Sequence, residues 1–160
     1  MNKLFSLLIL CGIAFVSCKD DDIPEPSIPT LTAAGKAQLT QDSLAIVQYL
    51  NNNNLSADFL DDSGVFIRII ESNENTETPN LNNRVTVTYK GYSLTGDVFD
   101  ENETGITFPL ENLILGWQIG IPYLSKGEKG QLFIPSYLAY GNNAPSNNQP
   151  IAFDIELIDF

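Results

Sequence analysis

Residues 108–120 read Phe-Pro-Leu-Glu-Asn-Leu-Ile-Leu-Gly-Trp-Gln-Ile-Gly and contain the only tryptophan of the chain, Trp117. Leu113, Ile114 and Trp117 are spaced i, i+1, i+4, which places them on one face of a predicted short helix. A core helix with a buried indole explains this pattern. A second interpretation places Trp117 at the floor of an apolar pocket. Five more aromatic residues fall at or near predicted strand ends or loops: Tyr89, Phe99, Phe108, Tyr140 and Phe153.

Downstream of Gly64 the sequence changes to short β-rich runs separated by polar loops and turns. The predicted strands cover residues 65–70, 84–89, 98–100, 131–134 and 151–160. In the last run apolar residues alternate with mostly polar ones, which predicts one buried and one mostly solvated face. We therefore predict an α+β fold, in which a curved antiparallel sheet of about five strands wraps on one short helix.

The N-terminal part of the chain has the features of a secreted lipoprotein. Residues 1–17 combine a basic start with an apolar run shorter than the roughly 20 residues that span a bilayer, which predicts a signal peptide. Residues 15–18, Phe-Val-Ser-Cys, resemble a bacterial lipobox, so Cys18 is the predicted lipidation site. A plain secretory signal with an incidental cysteine is the alternative.

Two further segments precede the strands. Residues 18–32 hold acidic residues and three prolines, which predicts a tether between membrane and domain. Residues 33–62 form a predicted N-terminal helical segment, with one amphipathic helix over residues 33–50. The remaining residues, 63–160, form the predicted main domain.

The composition excludes several classes of function. The chain has 8 basic and 20 acidic residues, a net charge of −12, whereas nucleic acid and anionic lipid require a basic surface. It contains no histidine, which removes Ser-His-Asp and Cys-His catalysis and the usual nitrogen ligand of zinc. After cleavage Cys18 would be the only cysteine, so no intrachain disulfide could form. We predict no cofactor, no metal and no nucleic-acid partner.

Short motifs from about residue 63 to residue 160 resemble those of FKBP-type peptidyl-prolyl cis-trans isomerases, in the same order and with compatible spacings. They are Val87-Thr-Tyr-Lys-Gly91, Gly96-Asp-Val-Phe-Asp100, Phe108-Pro-Leu110, Leu113-Ile-Leu-Gly-Trp117, Lys126-Gly-Glu-Lys129, Ile134-Pro135, Leu138-Ala-Tyr-Gly141 and Phe153-Asp-Ile-Glu-Leu157. Each motif alone is weak, but the ordered set is specific. The short gap between Phe108 and Leu113 is similar to the bacterial extracytoplasmic branch, which often carries an N-terminal helical segment.

The resemblance implies a pocket that holds a proline ring on the indole of Trp117. It implies that the Ile114 backbone N–H and the Tyr140 hydroxyl bind substrate carbonyl groups, and that Asp100 is the pocket carboxylate. The predicted catalytic residues are Tyr89, Phe99, Asp100, Ile114, Trp117, Tyr140 and Phe153. The predicted substrate-binding residues are Phe108, Leu113, Ala144 and Pro145.

Each of these residues also has a structural interpretation, and the chain departs from the family pattern in two places. Aromatic residues on alternating strands are core in most proteins, and Asp100 could accept hydrogen bonds from its own turn. No arginine follows Asp100 closely to pair with it, which predicts a more acidic pocket rim that disfavours acidic substrates. Residues 141–150 are rich in asparagine, and Ala144-Pro145 stands where Ile-Pro is common in the family.

Isomerisation suits a site without histidine, thiol or metal. Rotation about an X-Pro bond is opposed by amide resonance, a barrier of about 18–20 kcal/mol. Water stabilises the planar, charge-separated amide more than the twisted one, so a dry aromatic pocket favours the twisted state.

We therefore predict a monomeric, lipid-anchored prolyl isomerase that acts on proline-containing polypeptides and assists the folding of secreted or surface proteins. The predicted location is the bacterial outer membrane, on its periplasmic side or at the cell surface. A non-catalytic FKBP-like lipoprotein that binds peptides or partners is the alternative, and a structural lipoprotein with a vestigial pocket is a third.

Overall fold

The computed structural model describes residues 24–60 and 63–160. The predicted signal peptide, Cys18 and the first part of the tether lie outside the described residues. The helices and strands are α1 (Ala33–Asn52), β1 (Asp58–Leu60), β2 (Val65–Glu71), β3 (Arg84–Ser93), β4 (Val98–Pro109), α2 (Leu115–Gly120), β5 (Lys129–Ile134) and β6 (Ile151–Asp159). Short 3-10 helices cover Leu110–Asn112, Ile121–Tyr123 and Ser136–Leu138. Within the described ranges, no helix is long and apolar enough to cross a bilayer.

The described strands form one six-stranded antiparallel sheet in the order β1-β2-β5-β6-β3-β4. The predicted antiparallel sheet is confirmed. The strand beyond the predicted five is β1, which pairs with β2 and lies within the segment 33–62 that we predicted as helical. The helix of that segment ends at Asn52.

The edge strand β4 is much longer than the sequence indicated. It covers 12 residues, whereas only residues 98–100 were predicted. Residues 101–104 are polar and do not alternate with apolar residues, so they give no strand signal. Pairing with β3 nevertheless includes Glu101 and Asn102 and resumes at Ile106 after a shift of register, because a sheet edge needs no buried face.

Helix α2 packs closely on one face of the sheet, against β5. Trp117 and Ile121 belong to the buried cluster that contains Leu132 and Ile134. The close approach depends on glycine, because a Cβ built on Gly120 would lie 2.5 Å from Leu132 Cδ2. The helix that carries the tryptophan is therefore fixed to the centre of the sheet.

Helix α1 covers the opposite face. Its residues Ile46 and Leu50 pack in a second buried cluster with a row of sheet residues: Phe66, Phe133, Ala152 and Tyr92. These residues are paired across β2, β5, β6 and β3, so they point to the same side of the sheet. We predicted a mostly solvated outer face for the last strand, but Ala152 is fully buried because α1 lies on it.

Candidate active site

One pocket of about 190 Å³ lies between α2, the strands β3, β4 and β6, and the loop after the 3-10 helix Ser136–Leu138. Its lining consists of Tyr89, Asp100, Phe108, Leu113, Ile114, Trp117, Tyr140 and Phe153. The sequence predicted all eight as site residues, although they come from five separate parts of the chain. The structure brings them together around one opening, and their individual roles in catalysis stay predictions.

Trp117 satisfies both interpretations that the sequence left open. Only 4% of the residue is exposed, and it belongs to the main hydrophobic core. It also lines the pocket. The indole is thus held by the core and contributes a surface to the pocket, which suits a rigid apolar floor.

The pocket aromatics pack edge to face. The ring centroids of Tyr89 and Trp117 are 5.3 Å apart at 81°, and those of Trp117 and Phe153 are 5.1 Å apart at 86°. Such T-shaped contacts are favourable because the positive ring edge meets the negative face of its neighbour. The two contacts fix the orientation of the rings on either side of the indole.

Phe99 packs on two rings of the pocket without lining it. It is absent from the residues around the opening, but its ring lies 5.6 Å from Phe153 and 6.4 Å from Tyr140, in both cases nearly perpendicular. The rings of Phe99 and Phe153 both pack over Gly91, which leaves room for them because it has no side chain. A Cβ on Gly91 would lie 2.6 Å from Phe153 Cε1 and 2.7 Å from Phe99 Cε2. Gly91 belongs to a motif that the sequence analysis quoted, but this role emerges only from the packing.

Asp100 is held by a hydroxyl group. The Tyr89 hydroxyl donates to Asp100 Oδ2 at 2.8 Å. Burial, together with this hydrogen bond and the nearby carboxylate charge, raises the pKa of Tyr89 to about 12. In the part of the chain that the structure describes, the ion pairs are Lys126–Asp159 and Lys129–Glu71. Asp100 is thus in neither of these ion pairs, and the hydroxyl group of Tyr89 is its side-chain partner.

Tyr140 follows the 3-10 helix Ser136–Leu138 and is half-buried. Burial, and secondarily the charge of Asp100, raises the pKa of its phenol. The hydroxyl group therefore remains a neutral O–H donor at physiological pH, as substrate binding would require.

The residues before α2 differ from the sequence prediction in conformation. We placed Leu113 and Ile114 within the short helix, but α2 begins at Leu115 and Ile114 is its N-cap. Both nonetheless line the pocket. The N–H of an N-cap residue has no partner within its helix, so the Ile114 N–H is suited to bind an external carbonyl oxygen.

Ala144 and Pro145 lie elsewhere. They belong to the turn-rich loop 141–150 and are not among the residues around the pocket. The loop contains Asn147 and Asn148 with φ of 50° and 58°, a left-handed conformation that asparagine tolerates. Contact of Ala144 and Pro145 with substrate stays a prediction.

A larger groove of about 680 Å³ runs between residues 24–28, residues 78–81 and residues 118–123. The sequence did not predict it. None of the aromatic residues of the smaller pocket lines it, so the volume alone does not make it the site. Among the described residues, no group of three potential ligands from His, Cys, Asp and Glu is placed to hold a metal ion.

Comparison with known proteins gives one family. Residues 75–158, just over half of the chain, match the family model described as FKBP-type peptidyl-prolyl cis-trans isomerase. The chain is 41% identical over 103 residues to the FKBP-type peptidyl-prolyl cis-trans isomerase FkpA of Buchnera aphidicola subsp. Schizaphis graminum, an alignment that covers 61% of this chain and 41% of that protein. It is 34% identical over 103 residues to FkpA of Escherichia coli K12, covering 61% and 38%.

A third relative is the peptidyl-prolyl cis-trans isomerase Mip of Coxiella burnetii, 31% identical over 103 residues, with 60% of this chain and 44% of that protein covered. The chain thus spans less than half the length of these curated relatives. Among solved structures, a peptidyl-prolyl cis-trans isomerase from Pseudomonas syringae pv. tomato is similar with a TM-score of 0.62 and 26% identity, covering 81% of this chain and 98% of that one. Escherichia coli FkpA is similar with a TM-score of 0.61 and 27% identity, covering 79% and 64%.

Proposed function

The chain belongs to the family of FKBP-type peptidyl-prolyl cis-trans isomerases, and from this premise we propose that it catalyses the isomerisation of X-Pro bonds in proline-containing polypeptides. The observation that carries the proposal is the pocket of about 190 Å³, in which the indole of Trp117 meets the other predicted site residues. Its small volume and aromatic walls suit a pyrrolidine ring.

The proposed mechanism depends on removing water from the amide that precedes proline. A proline ring on Trp117, enclosed by Tyr89 and Phe153, would place its preceding amide in an apolar environment, which favours the twisted amide over the planar one. The Ile114 N–H and the Tyr140 hydroxyl would hold the flanking carbonyl groups. Lowering the barrier by about 4 kcal/mol gives roughly a thousandfold acceleration. No proton transfer or nucleophile takes part.

Asp100 would act on the pocket through Tyr89. The 2.8 Å hydrogen bond fixes the phenol ring that packs nearly perpendicular to Trp117. The same carboxylate leaves a negative charge at the pocket, which favours peptides with a basic residue next to proline.

The test is an isomerisation assay on a proline-containing tetrapeptide. We expect Tyr140→Phe to lower kcat/KM roughly fivefold to tenfold, since a hydrogen bond contributes about 1 kcal/mol. Tyr123→Phe is the matched control, because Tyr123 is 49% exposed and lies outside the pocket. Trp117→Ala should abolish activity. Trp117→Phe also removes the indole but disturbs the core less, so its activity is compared with that of the wild type in the same way.

A wild-type domain that isomerises the peptide at the uncatalysed rate would contradict the enzymatic proposal. If such a domain still bound the peptide, with a change in the fluorescence of its single tryptophan, the result would support the non-catalytic binding module instead.

We also propose that the chain is a monomeric lipoprotein anchored through Cys18, on the periplasmic side of the outer membrane or at the cell surface, where it assists the folding of secreted proteins. The signal-like residues 1–17 and the lipobox-like residues 15–18 support the export and the anchor. We expect labelled palmitate to be incorporated by the wild type and by Cys11→Ala, and not by Cys18→Ala. Protease treatment of intact cells distinguishes the two membrane faces, and sedimentation of the soluble domain measures its mass.

A further inference from the structure

We infer that Asp42 and Gln38, on the N-terminal helix α1, are positioning residues for the site, because they hold the backbone on both sides of Tyr140. The inference rests on the proposed function and adds α1 to the machinery of the site. Neither residue contacts the pocket, and the sequence analysis assigned neither of them a role.

Asp42 is a buried carboxylate, and both of its oxygens accept hydrogen bonds. Only 2% of the residue is exposed, and it lies one turn before Ile46 on the face of α1 that meets the sheet. Its Oδ2 accepts from the Ser136 backbone N–H at 2.7 Å and from the Ser136 hydroxyl at 2.6 Å. Its Oδ1 accepts from Gln38 Nε2 at 2.7 Å. These bonds join α1 to a residue 94 positions later in the chain.

Ser136 transmits this anchorage to Tyr140. It is the first residue of the 3-10 helix Ser136–Leu138. Its carbonyl oxygen accepts from the N–H of Ala139 at 3.1 Å and from the N–H of Gly141 at 2.7 Å. The two residues that flank Tyr140 in the chain are therefore both bonded to the residue that Asp42 holds.

Gln38 holds the far end of the loop 141–148, which follows Tyr140. Its Nε2 donates to the Asn148 carbonyl oxygen at 3.0 Å as well as to Asp42. The Asn148 N–H in turn donates to the Gly141 carbonyl oxygen at 2.8 Å. One pair of side chains on α1 thus ties both ends of the loop 141–148, and Tyr140 immediately precedes that loop.

A carboxylate is not needed to attach α1 to the sheet, since Ile46 and Leu50 already bury apolar surface there. A buried charge is costly unless its hydrogen bonds are made, and once they are made it fixes one geometry. Here that geometry includes the backbone on both sides of the phenol. A shift of about 1 Å at a site can cost roughly a hundredfold in rate.

The experiment compares Asp42→Ala with Ile46→Ala, a matched control on the same buried face of α1 that leaves the bonds to Ser136 in place. Both variants are assayed as the full chain, at a temperature where circular dichroism shows no unfolding. We expect Asp42→Ala to lower kcat/KM roughly tenfold and Ile46→Ala less than twofold. Asp42→Asn, which keeps an acceptor for Ser136, should recover most of the activity. Gln38→Ala should lose roughly threefold, and it tests the inference even if Asp42→Ala does not fold.

A double-mutant cycle separates positioning from general destabilisation. If Asp42 acts through Tyr140, the loss caused by Tyr140→Phe should shrink to about twofold or less in the Asp42→Ala background. Additive losses, or equal losses in Asp42→Ala and Ile46→Ala, would overturn the inference.

Amide hydrogen exchange at Gly141 tests the connection from Asp42 through Ser136 without measuring catalysis. If the wild type proved inactive, that result would contradict the proposed function, and the exchange experiment would still test the positioning role. We expect exchange at Gly141 to be faster in Asp42→Ala than in Ile46→Ala. Equal rates in the two variants would count against the positioning role.

Discussion

At the scale of single residues, the pocket depends on phenol groups that stay protonated. Tyr89 has a pKa raised to about 12, chiefly by burial and then by its hydrogen bond to Asp100. The pKa of Tyr140 is also raised, by burial first. Both hydroxyl groups therefore remain donors in the neutral range, and activity should not depend on tyrosine ionisation near neutral pH.

The raised pKa of Tyr89 predicts a loss of stability in alkali. An unfolded tyrosine titrates near pH 10, so between pH 10 and about 12 the unfolded chain loses a proton that the folded chain retains. The contribution of Tyr89 to the free energy of unfolding is complete below about pH 10 and is lost as the pH rises towards 12. We expect the free energy of unfolding in urea to fall between about pH 9 and pH 11.5, and to fall less in Tyr89→Phe. Parallel pH profiles of the two proteins would contradict this.

Gly91 gives a prediction about the shape of the pocket. A methyl group at this position would meet the rings of Phe153 and Phe99 at 2.6 and 2.7 Å. Because Phe153 packs on Trp117, the displaced rings should narrow the pocket, and kcat/KM of Gly91→Ala should fall roughly tenfold to a hundredfold. The control is Lys90→Ala on the same strand, whose exposed side chain lies outside this pocket. An active Gly91→Ala variant with unchanged peptide affinity would show that the rings can yield.

At the scale of elements, the two helices pack on opposite faces of the sheet and differ in length and in the residues that make the contact. Helix α2 is short and depends on glycine contacts to bring Trp117 to the sheet. Helix α1 has 20 residues and covers the face opposite the pocket. The sheet is therefore covered on both sides over part of its area.

The packing of α1 predicts a large contribution to stability. Ile46 is fully buried against the outer row of sheet residues. Ile46→Ala should lower the free energy of unfolding by about 2–5 kcal/mol, because it removes apolar contacts and leaves a cavity. Leu44→Ala is the control on the same helix, since Leu44 is 58% exposed and should change stability by less than about 0.5 kcal/mol. Urea titration of both variants measures the difference, and similar values would mean that α1 is only loosely attached.

At the scale of the whole molecule, charge should govern the choice of peptide. The chain carries a net charge of −12, and Asp100 lies at the pocket without a cation among its described contacts. We expect a tetrapeptide with lysine before proline to have a higher kcat/KM than the matched glutamate peptide. The ratio should approach one as salt rises from about 0.02 M to 1 M, where the Debye length is about 3 Å. A ratio independent of salt would show that contacts, not charge, select the peptide.

The local pattern of the sequence was sufficient for much of the fold. Short β-rich runs predicted where β2, β3, β5 and β6 lie, and in β3 and β6 apolar residues also alternate with polar ones, as in a strand with one buried face. The spaced motifs of the family predicted the residues of the pocket, and all eight residues that line it belong to that set. Most of strand β4 could not be predicted in this way, because it is an exposed edge strand without a buried face and its sequence therefore lacks regular alternation.

The sequence by itself therefore determined the periodic elements, because they follow from short-range spacing, and its resemblance to a known family implied the residues of an aromatic site. Only the tertiary structure decided that α1 covers the outer face, that Ala144 and Pro145 lie outside the lining of the pocket, and that Asp42 holds Ser136. The last contact joins residues 94 positions apart. Contacts of this kind depend on which surfaces pack together when the chain folds, and local periodicity carries no record of that choice.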